Sequence, residues 1–84
     1  MKETRTINLN GLVYHIDYDA YQLLRDYLHD IELRLPQDDR QEVMTDIEAR
    51  IAELLQKALF AKNVQVVNVQ MVHSIQEQIG APSE

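Results

Sequence analysis

The sequence predicts an α+β fold with the element order ββααβα, in which a small antiparallel sheet packs on three helices. Three observations support this prediction. An Asn-Gly pair separates two short stretches of alternating apolar residues, as in a β-hairpin. Two long segments with helical apolar spacing follow, and a valine-rich stretch leads into a third. Because 84 residues form only one core, we expect a single domain over residues 1–80, with 81–84 as the start of a linker or tail.

The first two strands flank the turn Asn10-Gly11, whose residues both tolerate the positive φ of a type I′ turn. A two-residue turn sets the strand register and collects apolar side chains on one face: Ile7, Leu9, Leu12, Tyr14 and Ile16. The other face carries Thr6, Asn8, Val13 and His15. The apolar face must lie on helices, since a lone hairpin is barely stable in water. We expect the later valine-rich stretch to fill one edge and the other edge to stay open to a partner strand.

The first helix begins after Asp17 or Asp19, either of which could serve as its N-cap. Its apolar residues are spaced by three or four positions, at Tyr21, Leu24, Leu28, Ile31 and Leu35. Pro36 ends this helix, because the residue before a proline is pushed out of helical geometry.

The second helix begins after Asp38 or Asp39, and Glu42 is placed for a capping-box interaction. Its apolar residues cover an arc of about 160°, wider than the roughly 100° stripe of an ordinary surface helix. This apolar arc consists of Val43, Met44, Ile47, Ile51, Leu54, Leu55, Ala58 and Leu59. We therefore expect more than one neighbour to cover the second helix.

The third strand and third helix are predicted from the end of the chain. The stretch NVQVVNV is rich in valine and bounded by asparagine, which is typical of a short strand that could extend the sheet. Asn68 would then cap the last helix and Gly80 would end it. The inward residues of that helix are Val72, Ile75 and Ile79.

The composition excludes several classes of function. There is no cysteine, which rules out disulfides, thiolate zinc sites and cysteine nucleophiles. The formal charge is −6 and the basic residues are scattered among acids, so we expect no nucleic acid partner. No apolar run approaches the roughly 20 residues that cross a bilayer, so the chain as it stands is predicted to be soluble and not exported.

No catalytic site is predicted. His29 and Glu32 have a spacing that could hold a metal, but a third ligand is missing, and we expect neither a metal nor a cofactor. Ser74 and Ser83 have no predicted base or oxyanion hole beside them, and two glycines are too few for a phosphate-binding loop. The four tyrosines are predicted to pack in or around the core rather than to stack on bases.

The chain contains three segments in a recognisable order: TINLNGLVYHIDYDAYQLLRDYL, DIEARIAELL and VVNVQMVHSIQEQIGAP. This set resembles the cytosolic N-terminal region of PspC-domain proteins of Bacteroidetes-type bacteria. The resemblance covers nearly the whole chain and is most specific at DIEARIAELL. The chain differs at NVQMVHSI, where the family more often has an acidic DVEEVI, so a contact made by those acids is not carried over.

The resemblance implies a cytoplasmic module of a membrane-associated regulator of the phage-shock stress response, joined to the membrane only through a segment C-terminal to this chain. It supplies no catalytic residues. We therefore expect a non-catalytic module that acts through protein–protein contacts, with another protein or as a homodimer. The alternatives are a free-standing adaptor or anti-sigma-like protein that buries its second helix against a partner helix, and a DNA-binding transcriptional regulator.

The predicted interface residues are Ile51, Leu55 and Leu59 on the apolar arc, and Val13 on the outer face of the hairpin. Self-association through the arc would bury further apolar area in a chain whose own core is small. The alternative is a monomer, in which the first and last helices and the hairpin cover the arc.

Overall fold

The structure is a computed structural model that describes residues 3–80. Its elements, in chain order, are β1 (Thr4–Leu9), β2 (Leu12–Asp17), α1 (Tyr18–Arg34), α2 (Arg40–Lys62), β3 (Val66–Val67) and α3 (Val69–Ile79). The α+β class and the order ββααβα are therefore confirmed.

The sheet has the strand order β1-β2-β3 and is mixed rather than purely antiparallel. β1 and β2 form the predicted hairpin, whose register pairs Leu9 with Leu12 and Ile7 with Tyr14. β3 runs parallel to β2, which differs from the antiparallel sheet predicted from the sequence. Parallel neighbours need a connection of a dozen or more residues, and α1 and α2 provide it. A two-residue valine strand carries no sequence signal for its direction.

The hairpin turn has the conformation that its sequence predicts. Asn10 has φ 53° and Gly11 has φ 81°, and the Asn8 side chain accepts a hydrogen bond from the Gly11 N–H at 3.1 Å. Leu12 was predicted to face the helices, yet it is 39% exposed. It lies directly beside the turn, at the tip of the hairpin.

α1 follows β2 without a loop. Asp17 occupies the N-cap position, which decides between the two predicted alternatives. The next residue, Tyr18, donates its N–H to the Glu3 carbonyl at 2.8 Å and so prolongs the hairpin bonding. At the other end, Leu35 has an extended backbone just before Pro36, as predicted.

α2 and α3 also begin after predicted caps. Asp39 is the N-cap of α2, although its side chain makes no capping hydrogen bond. Asn68 is the N-cap of α3 and accepts the Met71 N–H at 2.9 Å. Gly80 ends α3 with φ 102°, a conformation that favours glycine.

The core lies between the sheet and the helices. α3 packs against both α1 and α2, and α2 also contacts β1 and β3, so several neighbours cover α2 as its broad arc predicted. The largest fully buried side chains are Ile16, Ile51, Leu55, Val67, Met71, Val72 and Ile75. A second cluster of Tyr27, Ile31 and Met44 lies toward the α1–α2 connection. Within residues 3–80, none of the helices combines the length and the hydropathy that a membrane span requires.

Candidate interaction groove

The candidate site lies where α2 ends and the chain turns toward β3. Asn63 there adopts the left-handed conformation, with φ 55°, which asparagine tolerates better than most residues. The Val64 N–H then donates to the Leu59 carbonyl at 3.1 Å, and the Asn63 N–H donates to the Phe60 carbonyl at 3.2 Å. These bonds satisfy two of the last helical carbonyls and turn the chain sharply. The end of α2 and the segment after it thus form two walls of a groove.

The first half of β2 forms the remaining wall. The space between these walls is open to solvent and has a volume of about 660 Å³. We call it the interaction groove, and it is lined by Val13, Tyr14, His15, Gln56, Leu59, Phe60, Asn63, Val64 and Gln65.

Large apolar side chains are exposed along the interaction groove. Phe60 is 89% exposed, Val13 is 61% exposed and Val64 is 42% exposed. Across the part of the chain that the structure describes, only two other large apolar side chains are exposed, Leu12 and Leu33. Single exposed apolar residues are ordinary, whereas a cluster of them marks an interaction site.

The floor of the groove is held in place by Tyr14. Its side chain is buried, and its hydroxyl donates to the Ala52 carbonyl at 3.0 Å. Burial raises the pKa of this hydroxyl above its usual value, so the hydroxyl is neutral at physiological pH. The lining contains no Asp, Glu, Lys or Arg. The lining offers apolar contacts and side-chain amides that can form hydrogen bonds.

No family model, no curated protein and no solved structure matches the chain.

The structure divides the four predicted interface residues into two pairs. Val13 and Leu59 both line the interaction groove, although one comes from the hairpin and the other from α2. Ile51 and Leu55 are fully buried in the core of the chain itself and have no surface to offer a partner. The middle of the apolar arc is thus covered within the chain, which was the alternative reading of the arc.

Sequence reasoning missed two exposed apolar residues of the groove, Phe60 and Val64. Phe60 falls outside the apolar arc of α2, so it is a large aromatic residue on the otherwise polar side of an amphipathic helix. An aromatic residue on the polar side of a helix is a sequence signal that could have identified Phe60. The sequence prediction includes Val64 in the third strand, whereas the structure places it before β3 begins.

The other pairing considered from the sequence lies on an exposed helix surface. His29 Nδ1 and Glu32 Oε1 are 4.0 Å apart, and both side chains are largely exposed. Residues 3–80 contain no group of three or more His, Asp or Glu side chains that could hold a metal ion.

Proposed function

We propose that this chain is a non-catalytic protein-interaction module whose interaction groove binds a short apolar segment of another protein. The observation that carries the proposal is Phe60, 89% exposed beside Val13 and Val64. Exposing a phenylalanine to water is unfavourable by about 1.5–3 kcal/mol relative to burying it. A partner that covers this side chain gains that free energy.

The size of the groove favours a short segment over a second copy of this chain. A stable protein–protein interface buries about 800 Å² on each partner. The groove, with about 660 Å³ and three exposed apolar side chains, accommodates only a few side chains of a partner. Peptides that dock in grooves use a few apolar anchors of this kind, and the amides of Gln56 and Asn63 can bond their backbone.

The module is further proposed to belong to a PspC-type membrane-associated stress regulator and to work in the cytoplasm. The support for this part is the resemblance of the hairpin, of DIEARIAELL and of the chain end to that family. The gene itself provides the test. A reading frame that continues past Glu84 into apolar membrane segments agrees with the proposal, whereas a stop codon there favours the free-standing adaptor.

Photocrosslinking in the native host tests the groove directly. A benzophenone amino acid in place of Phe60 should form an adduct of defined mass with one protein, because the side chain lies inside the contact. The same amino acid in place of Leu33, which is 64% exposed on α1 away from the groove, is the matched control. Mass spectrometry of the adduct identifies both the partner and the crosslinked segment.

The variant Phe60→Ser should abolish binding of the identified segment, while Leu33→Ser should bind as the wild type does. Both positions are exposed, so each substitution should change the free energy of unfolding by no more than about 0.5 kcal/mol. Equal crosslinking from positions 60 and 33, or undiminished binding by Phe60→Ser, would contradict the proposed function.

A further inference from the structure

Within residues 3–80, no strand pairs with the outer edge of β1. The two-residue turn and the bond from Tyr18 to the Glu3 carbonyl show which residues of β1 face β2: the odd-numbered ones, from Glu3 to Leu9. The N–H and C=O groups of Thr4, Thr6 and Asn8 therefore point away from β2. Because β1 is the first strand in the order β1-β2-β3, these groups have no neighbouring strand within residues 3–80.

β1 lacks the features that usually block edge pairing. Its sequence, TRTINL, contains no proline and no lysine, and its register with β2 runs without a bulge. The charge that it does carry, on Arg5, lies over the Tyr18 and Tyr21 rings at 4.7 and 5.3 Å from their centroids. The guanidinium is thus held against α1 and does not hinder another strand from pairing with the edge of β1. The opposite edge of the sheet is β3, which is only two residues long.

We propose that β1 pairs with β1 of a second copy of this chain, antiparallel, about a two-fold axis at Thr6. This register places Thr6 against Thr6 and Thr4 against Asn8, and it forms about six backbone hydrogen bonds. A two-fold axis at Arg5 would bring two guanidinium groups together, and an axis at Ile7 would leave Thr4 beyond the partner strand. Of these three two-fold registers, the one at Thr6 therefore keeps the full strand overlap without placing like charges directly opposite each other.

Charge also favours this edge over other surfaces for contact between two copies. Each copy carries a formal charge of −6, so most of their surfaces repel. In the proposed register Arg5 meets Ile7 of the second copy, so no like charges stand directly opposite each other, and the two Arg5 residues are only diagonal neighbours.

A second feature lies beside the same edge. An apolar groove of about 230 Å³ lies next to β1 and is lined by Ile7, Asn8, Leu9, Tyr21, Leu24, Arg25, Leu28 and Glu48. A strand added to β1 extends the sheet over this space. The added backbone then shields apolar surface beside Ile7 that is otherwise open to water.

Sedimentation over a range from low micromolar to millimolar concentration tests the proposal. The wild type should show a monomer–dimer equilibrium. Thr6→Lys and Thr6→Asp, each alone, should weaken dimerisation by about tenfold or more, because like charges then meet at the axis. An equimolar mixture of the two variants should form a heterodimer, since the introduced charges are opposite.

The mixing experiment also excludes misfolding as the cause, because two misfolded variants would not associate specifically when combined. The matched control applies the same two substitutions to Thr45, which is exposed on α2 and should leave the dimer unchanged. A wild type that stays monomeric at millimolar concentration overturns the proposal. So does a dimer that survives Thr6→Lys, a mixture that does not associate, or a dimer lost through Phe60→Ser. The last outcome would assign the contact to the interaction groove.

Discussion

Two buried tyrosine hydroxyls join parts of the chain that lie far apart in sequence. Tyr14 in β2 donates to the Ala52 carbonyl of α2 at 3.0 Å, and Tyr27 in α1 donates to the Gly80 carbonyl after α3 at 2.9 Å. Both rings are buried, which confirms the prediction that these tyrosines pack in the core. Their acceptors could not be predicted, because each is a backbone carbonyl brought near only by folding. Each bond ties a separate pair of elements together.

Ionisation of the Tyr14 hydroxyl should make the free energy of unfolding depend on pH. Burial raises its pKa above the ordinary value of 10.0, which the unfolded chain retains. Below that value both states keep the proton, so the stability that this hydroxyl contributes does not change with pH. As the pH rises further, the unfolded chain loses its proton first, so the free energy of unfolding falls. Its contribution is therefore lost at alkaline pH.

The variant Tyr14→Phe isolates this effect. At neutral pH it should be less stable than the wild type by about 1 kcal/mol, because the Ala52 carbonyl loses its donor. The difference should narrow as the pH rises through the ordinary tyrosine pKa of 10.0 and beyond it, where only the wild type has this proton to lose. Urea unfolding at several pH values measures it. If the difference in free energy of unfolding between the wild type and Tyr14→Phe stays constant or widens, the pKa of the hydroxyl is not raised.

The N-termini of α2 and α3 show that a favourable N-cap residue makes a side-chain cap bond in one helix and not in the other. Asp39 and Asn68 were both predicted as N-caps for the same reason, and both occupy that position. Asn68 has an extended backbone, with φ −114° and ψ 172°, from which its side chain reaches the Met71 N–H. Asp39 has φ −101° and ψ −5°, close to helical, and its side chain does not cap. The extended backbone of Asn68 thus allows its cap bond, but it does not guarantee one, since Asp17 has φ −59° and ψ 145° and makes no side-chain cap bond.

Alanine substitutions at the two caps should separate these cases. Asn68→Ala should lower the free energy of unfolding by about 1 kcal/mol, because the Met71 N–H loses its acceptor. Asp39→Ala removes no such bond and should cost clearly less. Urea titrations of both variants against the wild type test this contrast. Equal losses would mean that the charge of Asp39 at the N-terminus of α2 stabilises that helix as much as the Asn68 cap bond stabilises α3.

Across the whole molecule, the arc of α2 belongs to the core at its centre and to the surface at its end. Leu55 is fully buried, whereas Leu59, one turn later, lines the interaction groove. The sheet and α3 cover the middle of the helix, and the chain then leaves the last turn through the left-handed Asn63. Coverage of an apolar arc therefore changes along one helix.

Truncating Leu55 should test its place in the core. Leu55→Ala should lower the free energy of unfolding by about 2–5 kcal/mol, because it leaves a cavity among side chains from several elements. The control Leu33→Ala, at an exposed position, should change it by no more than about 0.5 kcal/mol. Chemical denaturation measures both values, and sedimentation checks the assembly state. A stably folded Leu55→Ala variant whose only defect is lost association would instead place Leu55 at an interface.

Of the nine residues that line the candidate site, the sequence predicted two as interface residues, Val13 and Leu59. Val13 was recognised because strand alternation places it on the outer face, and Leu59 because helical periodicity places it on the arc. Phe60 and Val64 were missed, and so was the proximity of all four. Periodicity shows which face of an element a residue occupies, but it does not show which other element lies beside that face.

The hairpin register, the end of α1 and both ends of α3 follow from the amino-acid sequence alone. These features depend on residues that are neighbours along the chain: Asn10-Gly11 in the turn, Pro36 after α1, and Asn68 and Gly80 around α3. The choice of Asp17 and Asp39 as caps, the direction of β3, the burial of Ile51 and Leu55, and the meeting of Val13 with Phe60 in one groove are known only from the folded chain. The physical reason is that these features arise from packing between segments separated by whole elements, and local backbone preferences do not determine that packing.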